Sequence, residues 1–391
     1  MRAALHDGAR AQRCYGRSGD SGPVRRVEPP ASTSTQRRCT RRPGPPSRIQ
    51  EHRIPYSVGV EEQGRTPGVR EVAAAAGVSR QTVSRVLNDH PSIRPATRDR
   101  VLAAMDQLNF RPNRAARMLT TARSTTIGVL VASTSSLFGP ASSIDAIERA
   151  ARDAGYFVTV AHAASLDTAA VHAALEQLSA QAVEGIVVVA PQLRVQEAMD
   201  AISVRVPSIT LHGAGTAGDH GVFVDQVEGA RLATRHLLEH GHRRIAHLSG
   251  PADWSEARAR REGFLQEMEA AGADPVVTRD GDWTAASGAA IAADVLTEPG
   301  ITALFSSNDQ MALGAMFAAR RAGRSVPGDL AVVGFDDIPE APFLAPPLTT
   351  VRQDFAELGR RCVARLIARI EGSALDFDAP VAPVLVVRES A

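Results

Sequence analysis

From Ile127 onward the chain alternates short apolar runs with amphipathic helical stretches, and this alternation constrains the fold more than any other feature. The pattern predicts strands at 127–131, 157–161, 185–189 and 208–211, with helices near 141–154, 168–181 and 193–202. A second series follows, with strands at 244–248, 276–278, 301–305 and 330–334, and helices at 227–240, 255–271, 285–297 and 309–322. Strand–helix alternation implies parallel sheets covered by helices on both faces. Residues 124–391 exceed what one core usually holds, so two lobes with a cleft are expected.

The segment ahead of this body is all helical. Val69, Val72, Ala73 and Ala76 recur at helical spacing. Gly77-Val78-Ser79 makes a turn, and Ser79 can cap a second helix beginning at Arg80. Pro95 opens a third helix, since proline is tolerated in a first turn. Two helices joined over a glycine-containing turn form a helix-turn-helix, whose second helix lies in the major groove of DNA. Arg80, Gln81 and Arg85 suit base reading, because arginine grips guanine and glutamine grips adenine with paired bonds. Ser79, Thr82, Ser84 and Asn88 suit phosphate contacts, which position without reading sequence.

Charge supports that division. The net +1 arises from 44 basic and 43 acidic residues, and every basic residue is arginine. Residues 1–65 carry 13 Arg against 6 acidic, residues 66–123 carry 10 against 4, and residues 124–391 carry 21 against 33. A basic front on an acidic body presents one end to a polyanion. Residues 1–65, rich in Arg, Pro, Gly, Ser and Thr, lack the apolar periodicity of a core and read as a disordered extension. The expected parts are therefore 1–65 extension, 66–112 DNA-binding head, 113–123 hinge and 124–391 body. No apolar run reaches the roughly 18 residues of a membrane span. The N-terminus lacks the apolar region of a secretory signal. Cys14, Cys39 and Cys362 are few and scattered, which argues for a reducing compartment. A cytoplasmic, nucleoid-associated protein is expected.

Two signals are set aside. Gly213-Ala-Gly215-Thr-Ala-Gly218 spells G-x-G-x-x-G, but the chain continues into a strand-like run, Gly221–Asp225, where a dinucleotide fold needs a helix. His236-Leu-Leu-Glu239-His240 spells H-x-x-E-H on a helix, with no third zinc ligand in sight. No nucleophile elbow or Walker loop occurs, so neither an enzyme nor a bound cofactor or metal is expected.

The string Ala76-Gly-Val-Ser-Arg-Gln-Thr-Val-Ser-Arg-Val-Leu-Asn88, then Thr97-Arg98 and Leu108-Asn-Phe-Arg-Pro-Asn-Arg114, resembles the lac repressor family. Gly241-His-Arg-Arg-Ile245, Ser307-Asn-Asp-Gln-Met-Ala312, Val333-Gly-Phe-Asp-Asp337 and Leu348-Thr-Thr-Val-Arg-Gln-Asp-Phe355 extend the resemblance over roughly residues 66–390. It implies a sequence-specific repressor with a helix-turn-helix head and a two-lobed, periplasmic-binding-protein-like effector domain. A small sugar, a galactoside or related glycoside, would release it from a near-palindromic operator in double-stranded DNA. A purine or other corepressor is the alternative, and a soluble sugar-binding protein a more distant one. Asn113–Thr121 would form a hinge helix in the minor groove, with Asn113 and Arg117 on DNA and Leu119 wedged into a base step. Leu137, Pro140, Arg260, Trp283, Asn308, Asp336, Gln353 and Phe355 match positions that hold effector. His212 stands where the resemblance leads one to expect an aspartate, which puts sugar preference in question. Gly68 and Arg94 replace usual helix caps. No C-terminal heptad helix follows Val387, so a homodimer is expected.

Overall fold

The computed structural model describes residues 67–88, 90–111, 118, 123–132, 138–200, 202, 206–211, 221–373, 375, 377 and 379–391. The hinge residues Asn113, Arg117 and Leu119, together with Leu137 and His212, lie outside them, as do both the 1–65 extension and the glycines at 213–218.

Three helices make the head: α1 (Val69–Ala76), α2 (Arg80–Leu87) and α3 (Pro95–Gln107). Gly77 ends α1 at φ +62°, a left-handed turn that glycine adopts without steric cost. The Ser79 hydroxyl accepts the Thr82 N–H at 3.1 Å and starts α2. Gly68 has no side chain to cap α1, but Glu71 makes the reciprocal bond of a capping box, its carboxylate accepting the Gly68 N–H at 2.9 Å. Val72, Val83, Val86, Val101 and Phe110 close a small core between the helices.

In the body, β1 (Thr126–Val131), α4 (Phe138–Asp153), β2 (Phe157–His162), α5 (Thr168–Ala180), β3 (Gly185–Val189), α6 (Leu193–Asp200) and β4 (Ser208–Leu211) build the first lobe. Its sheet is wholly parallel, in the order β2-β1-β3-β4. β1 and β3 are buried along their whole length, as strands covered on both faces must be. The second lobe holds α7 (Gln226–Glu239), β5 (Arg244–Leu248), α8 (Ser255–Ala270), β6 (Asp274–Val277), α9 (Ala285–Val295), β7 (Ala303–Ser306), α10 (Asp309–Arg321), β8 (Ala331–Asp336) and β9 (Thr349–Arg352). The order is β10-β9-β8-β7-β5-β6, with only β10 (Val384–Val386) antiparallel. The expected alternation and parallel sheets are found.

The last part of the chain differs from the sequence pattern, which ended at strand 330–334. Helix α11 (Phe355–Ile370) leaves the second lobe and packs on α4 of the first, placing Phe355, Leu358, Cys362, Val363 and Leu366 in that lobe's core. The chain then returns to the second sheet as β10. The lobes are therefore joined by three crossings: between β4 and α7, between β9 and α11, and between α11 and β10. Burial pushes the Cys362 thiol up to about 12, which leaves it an apolar core group.

A candidate DNA-reading helix and an interlobe ligand cleft

On α2 the buried positions are Val83 and Val86. Arg80, Gln81, Arg85 and Asn88 are exposed, and Ser84 is half-buried. At 3.6 residues per turn these five side chains share the face away from the core. The Ser79 and Thr82 hydroxyls lie 2.9 Å apart, so both are already engaged in starting the helix.

The cleft between the lobes is small, with a free volume of about 30 Å³. The first lobe contributes Phe138, Gly139 and Pro140, from the start of α4. The second contributes Trp254, Glu256, Arg260, Trp283, Asn308 and Asp336, and the crossing after β9 adds Gln353. Arg260 projects from α8 and is 4% exposed. Its Nε donates to Gln226 Oε1 at 2.8 Å, an Nη group donates to the Ser307 carbonyl, and Nη2 lies 3.6 Å from Asp336. The guanidinium stacks 3.8 Å from the Phe335 ring centroid. Burial pulls the Arg260 pKa down, opposed by the carboxylates of Asp336, Glu256 and Asp309. Gln226 Nε2 donates to Gln353 at 2.8 Å, and Gln353 Nε2 donates to Asp336 Oδ1 at 2.7 Å. These four side chains form one closed loop of contacts that ties the arginine and the acid to each other.

Asp336 ends β8 at φ 115° and Asp337 follows at φ 55°, both in the region that non-glycine residues avoid. The turn is held from several sides. Asp309 accepts the Ile338 N–H at 2.9 Å and the Thr350 hydroxyl at 2.6 Å. Arg352 and Arg388 each reach Asp337 at 2.6 Å. Burial, with Asp336 nearby, raises the Asp309 carboxyl well above the usual range. The strain thus sits where an acid is presented to the cleft.

Asn308 caps α10, its Oδ1 accepting the Met311 N–H at 2.9 Å. Both hydrogens of its amide are engaged, by the Trp283 carbonyl (3.0 Å) and Gln310 (2.9 Å). Only a second lone pair on Oδ1 is left for a ligand. Trp283 is 5% exposed, stands at φ 71°, and has an indole N–H with no protein partner. Trp254 meets it edge-on, with centroids 5.2 Å apart.

The cleft thus gathers Pro140, Arg260, Trp283, Asn308, Asp336 and Gln353. Phe355 is not in its wall; it supports Phe138 from behind, ring centroids 5.9 Å apart. Phe138, Gly139, Trp254 and Glu256 were not anticipated. Trp254 lies six residues before Arg260 and could have been found by counting back along the predicted helix. Phe138 is adjacent to the expected Leu137. Among the described residues no group of three metal-ligating side chains occurs, and the His236 and His240 rings lie 4.3 Å apart, tilted at 50°, at the end of α7. No helix among them is long and apolar enough to cross a membrane.

An exposed polar helix at a helix-turn-helix, joined in one chain to a two-lobed body with a polar-aromatic cleft, defines a ligand-controlled DNA-binding regulator. Comparison with known proteins gives the family. "Bacterial regulatory proteins, lacI family" matches residues 69–113, and "Periplasmic binding protein-like domain" matches residues 234–391. The lactose operon repressor of Escherichia coli (strain K12) is 37% identical over 323 residues, covering 82% of this chain and 89% of that protein. A crystal structure of the lac repressor dimer bound to operator and the anti-inducer ONPF has a TM-score of 0.73 at 35% identity, covering 83% of this chain and 99% of that one. A complex of the transcriptional regulator CelR with cellobiose has a TM-score of 0.61 at 30% identity, covering 83% of this chain and all 100% of that one. The chain belongs to the lacI family of bacterial regulatory proteins, and it is a transcriptional regulator, not an enzyme.

Proposed function

We propose that the protein is a sugar-responsive repressor. As a homodimer it holds a near-palindromic operator, and a galactoside or related glycoside entering the cleft releases it. The carrying observation is the wall of the cleft. Asp336 offers acceptors to paired hydroxyls, Arg260 is fixed behind it, and two tryptophans supply flat apolar faces for the C–H side of a sugar ring. The relatives point the same way, one being a lactose operon repressor and another holding cellobiose.

On the DNA side, Arg80, Gln81 and Arg85 read base edges, while Ser84 and Asn88 position the helix on phosphates. Ser79 and Thr82 serve first as the cap of α2. Residues 66–112, 113–123 and 124–391 act as head, hinge and body. The protein works in the cytoplasm, and we place it at the nucleoid, on its operator. The test is operator binding on the DNA upstream of its own gene, followed by calorimetric titration of the full chain with hexopyranosides and with purine bases. Specific binding with release by a sugar is expected. Binding of a purine and of no sugar refutes the sugar reading and leaves a corepressor-type regulator.

A further inference from the structure

The lobes meet at the cleft through backbone pairing as well as through side chains. Residues 191–193, where the chain after β3 enters α6 of the first lobe, run antiparallel to residues 253–255, where it enters α8 of the second. The Leu193 N–H donates to the Asp253 carbonyl at 2.8 Å, and the Ser255 N–H to the Pro191 carbonyl at 2.9 Å. The Ser255 hydroxyl donates to the same Pro191 oxygen at 3.1 Å. Arg194 adds an exposed ion pair, with Nε 2.9 Å from Asp253 Oδ2. Trp254 sits in the middle of this clasp, bridged to Gln192, and its indole lines the cleft.

The two tryptophans are therefore anchored differently. Trp283 is held within the second lobe: Asn308 bonds its carbonyl, and Gly250 packs so close that a Cβ there would lie 2.4 Å from the ring. Trp254 stands between Asp253 and Ser255, whose backbones are tied to the opposite lobe, while its own N–H donates to the Pro251 carbonyl at 3.1 Å. A hinge motion that separates the strips breaks two backbone hydrogen bonds and moves Trp254 against Gln192 or against Trp283. A ligand shifts a conformational equilibrium only as far as it binds the two states differently. A wall residue whose place depends on lobe angle supplies such a difference.

We propose that the Gln192–Trp254 clasp is the element through which the effector senses lobe angle, with Trp254 the specificity-determining wall that the pocket possesses only while the clasp is made. This rests on the effector reading of the cleft. The effector must accordingly present one apolar face to Trp283 and a second apolar edge to Trp254, as a pyranoside with an apolar or glycosyl substituent does. A free polyol chain does not.

Leu193→Pro tests this. Leu193 is the first residue of α6, where proline is tolerated, so the substitution removes the cross-lobe donor and spares the helix. Trp254 and Trp283 are the only two tryptophans. In full-length Trp283→Phe protein the emission of Trp254 should shift to the red, and become open to iodide quenching, when Leu193→Pro is added. In proteins that retain Trp283, a methyl hexopyranoside, cellobiose and hypoxanthine are titrated with and without operator DNA. The affinity ratio between the two conditions is the coupling factor, and Leu193→Pro should draw it toward one while weakening sugar binding about tenfold. Arg194→Ala, which removes only the ion pair, should move both quantities less and in the same direction. A coupling factor that Leu193→Pro leaves unchanged overturns the inference, whatever the emission does. If hypoxanthine alone binds, the sugar reading falls and the hypoxanthine coupling factor decides the clasp separately. If no probe binds, both fall.

Discussion

Arg260 commits its donors to Gln226, the Ser307 carbonyl and Asp336, all inside the protein. On the proposed reading, it therefore acts on a ligand mainly by fixing Asp336. Arg260→Ala should abolish the effector response. It should also destabilise the body by roughly 3–5 kcal/mol, because a buried acid and two acceptors lose their donor. Thermal melting of the variant checks this; an unchanged midpoint would show that the contact loop is dispensable. Arg80 carries the opposite expectation, being exposed and away from any core. Arg80→Ala should relax preference at one base pair per half-site, at about 1–3 kcal/mol, with stability intact. A uniform loss across all DNA sequences in a competition assay would make it a phosphate contact. His247 brings a pH dependence. It is fully buried between Phe264 and Phe305, and burial pulls its pKa down to about 3 from 6.5. The ring must stay neutral in the folded state, so its contribution is complete above pH 6.5 and is lost as pH falls toward 3. Melting temperature should decline from pH 6.5 to 4.5, ahead of most carboxylate titration, and His247→Phe should flatten that decline. His236 and His242, also pulled down by burial, leave a residual slope of the same sign.

At the scale of elements, Ser79 starts the reading helix, and Ser79→Ala should cost the head about 1 kcal/mol. Circular dichroism melting of the isolated effect on α1–α3 against the body transition would detect it; no change would mean that Thr82 caps unaided. Most elements were legible because parallel strands buried on both faces read as apolar runs and their helices as amphipathic stretches. β3, fully buried from Gly185 to Val189, is such a run. α11 was equally amphipathic, with Phe355, Leu358, Cys362, Val363 and Leu366 at helical spacing, yet nothing local says that a helix following a second-lobe strand returns to the first lobe. The site was legible in its polar members, since Arg260, Asn308, Asp336 and Gln353 fall in recognisable strings. Periodicity could not show that Asn308 is consumed as a helix cap, nor that Phe355 stands behind Phe138, because both depend on which neighbours the tertiary fold supplies. Trp254 is legible as a neighbour of Arg260, but its pairing with Gln192 is not, because that strip lies in the other lobe.

For the whole molecule, the second lobe leaves large apolar side chains in water. Leu313 and Phe317 on α10 are 41% and 46% exposed, and Phe343 is 86% exposed. Apolar surface of this kind marks an interface. Two heads on a two-fold operator require a dimer, and this lobe is where we expect it to form. Phe343→Asp should convert the protein to monomers by light scattering at micromolar concentration and weaken operator binding steeply. A dimer of undiminished stability would place the interface elsewhere.

The route of α11 also sets an order of events during synthesis. The head is complete once Phe110 has emerged, but the core of the first lobe waits for Leu366, near the end of the chain. β1 to β4 leave the ribosome early and stay uncovered on the α11 side while the whole second lobe is made. A nascent chain therefore carries a finished DNA-reading head on a body that has no cleft and no response to effector. Any product cut short before α11 would inherit that condition permanently, and would also expose an apolar sheet face to aggregation. The lobe that is first in sequence should thus be among the last parts of the molecule to become stable.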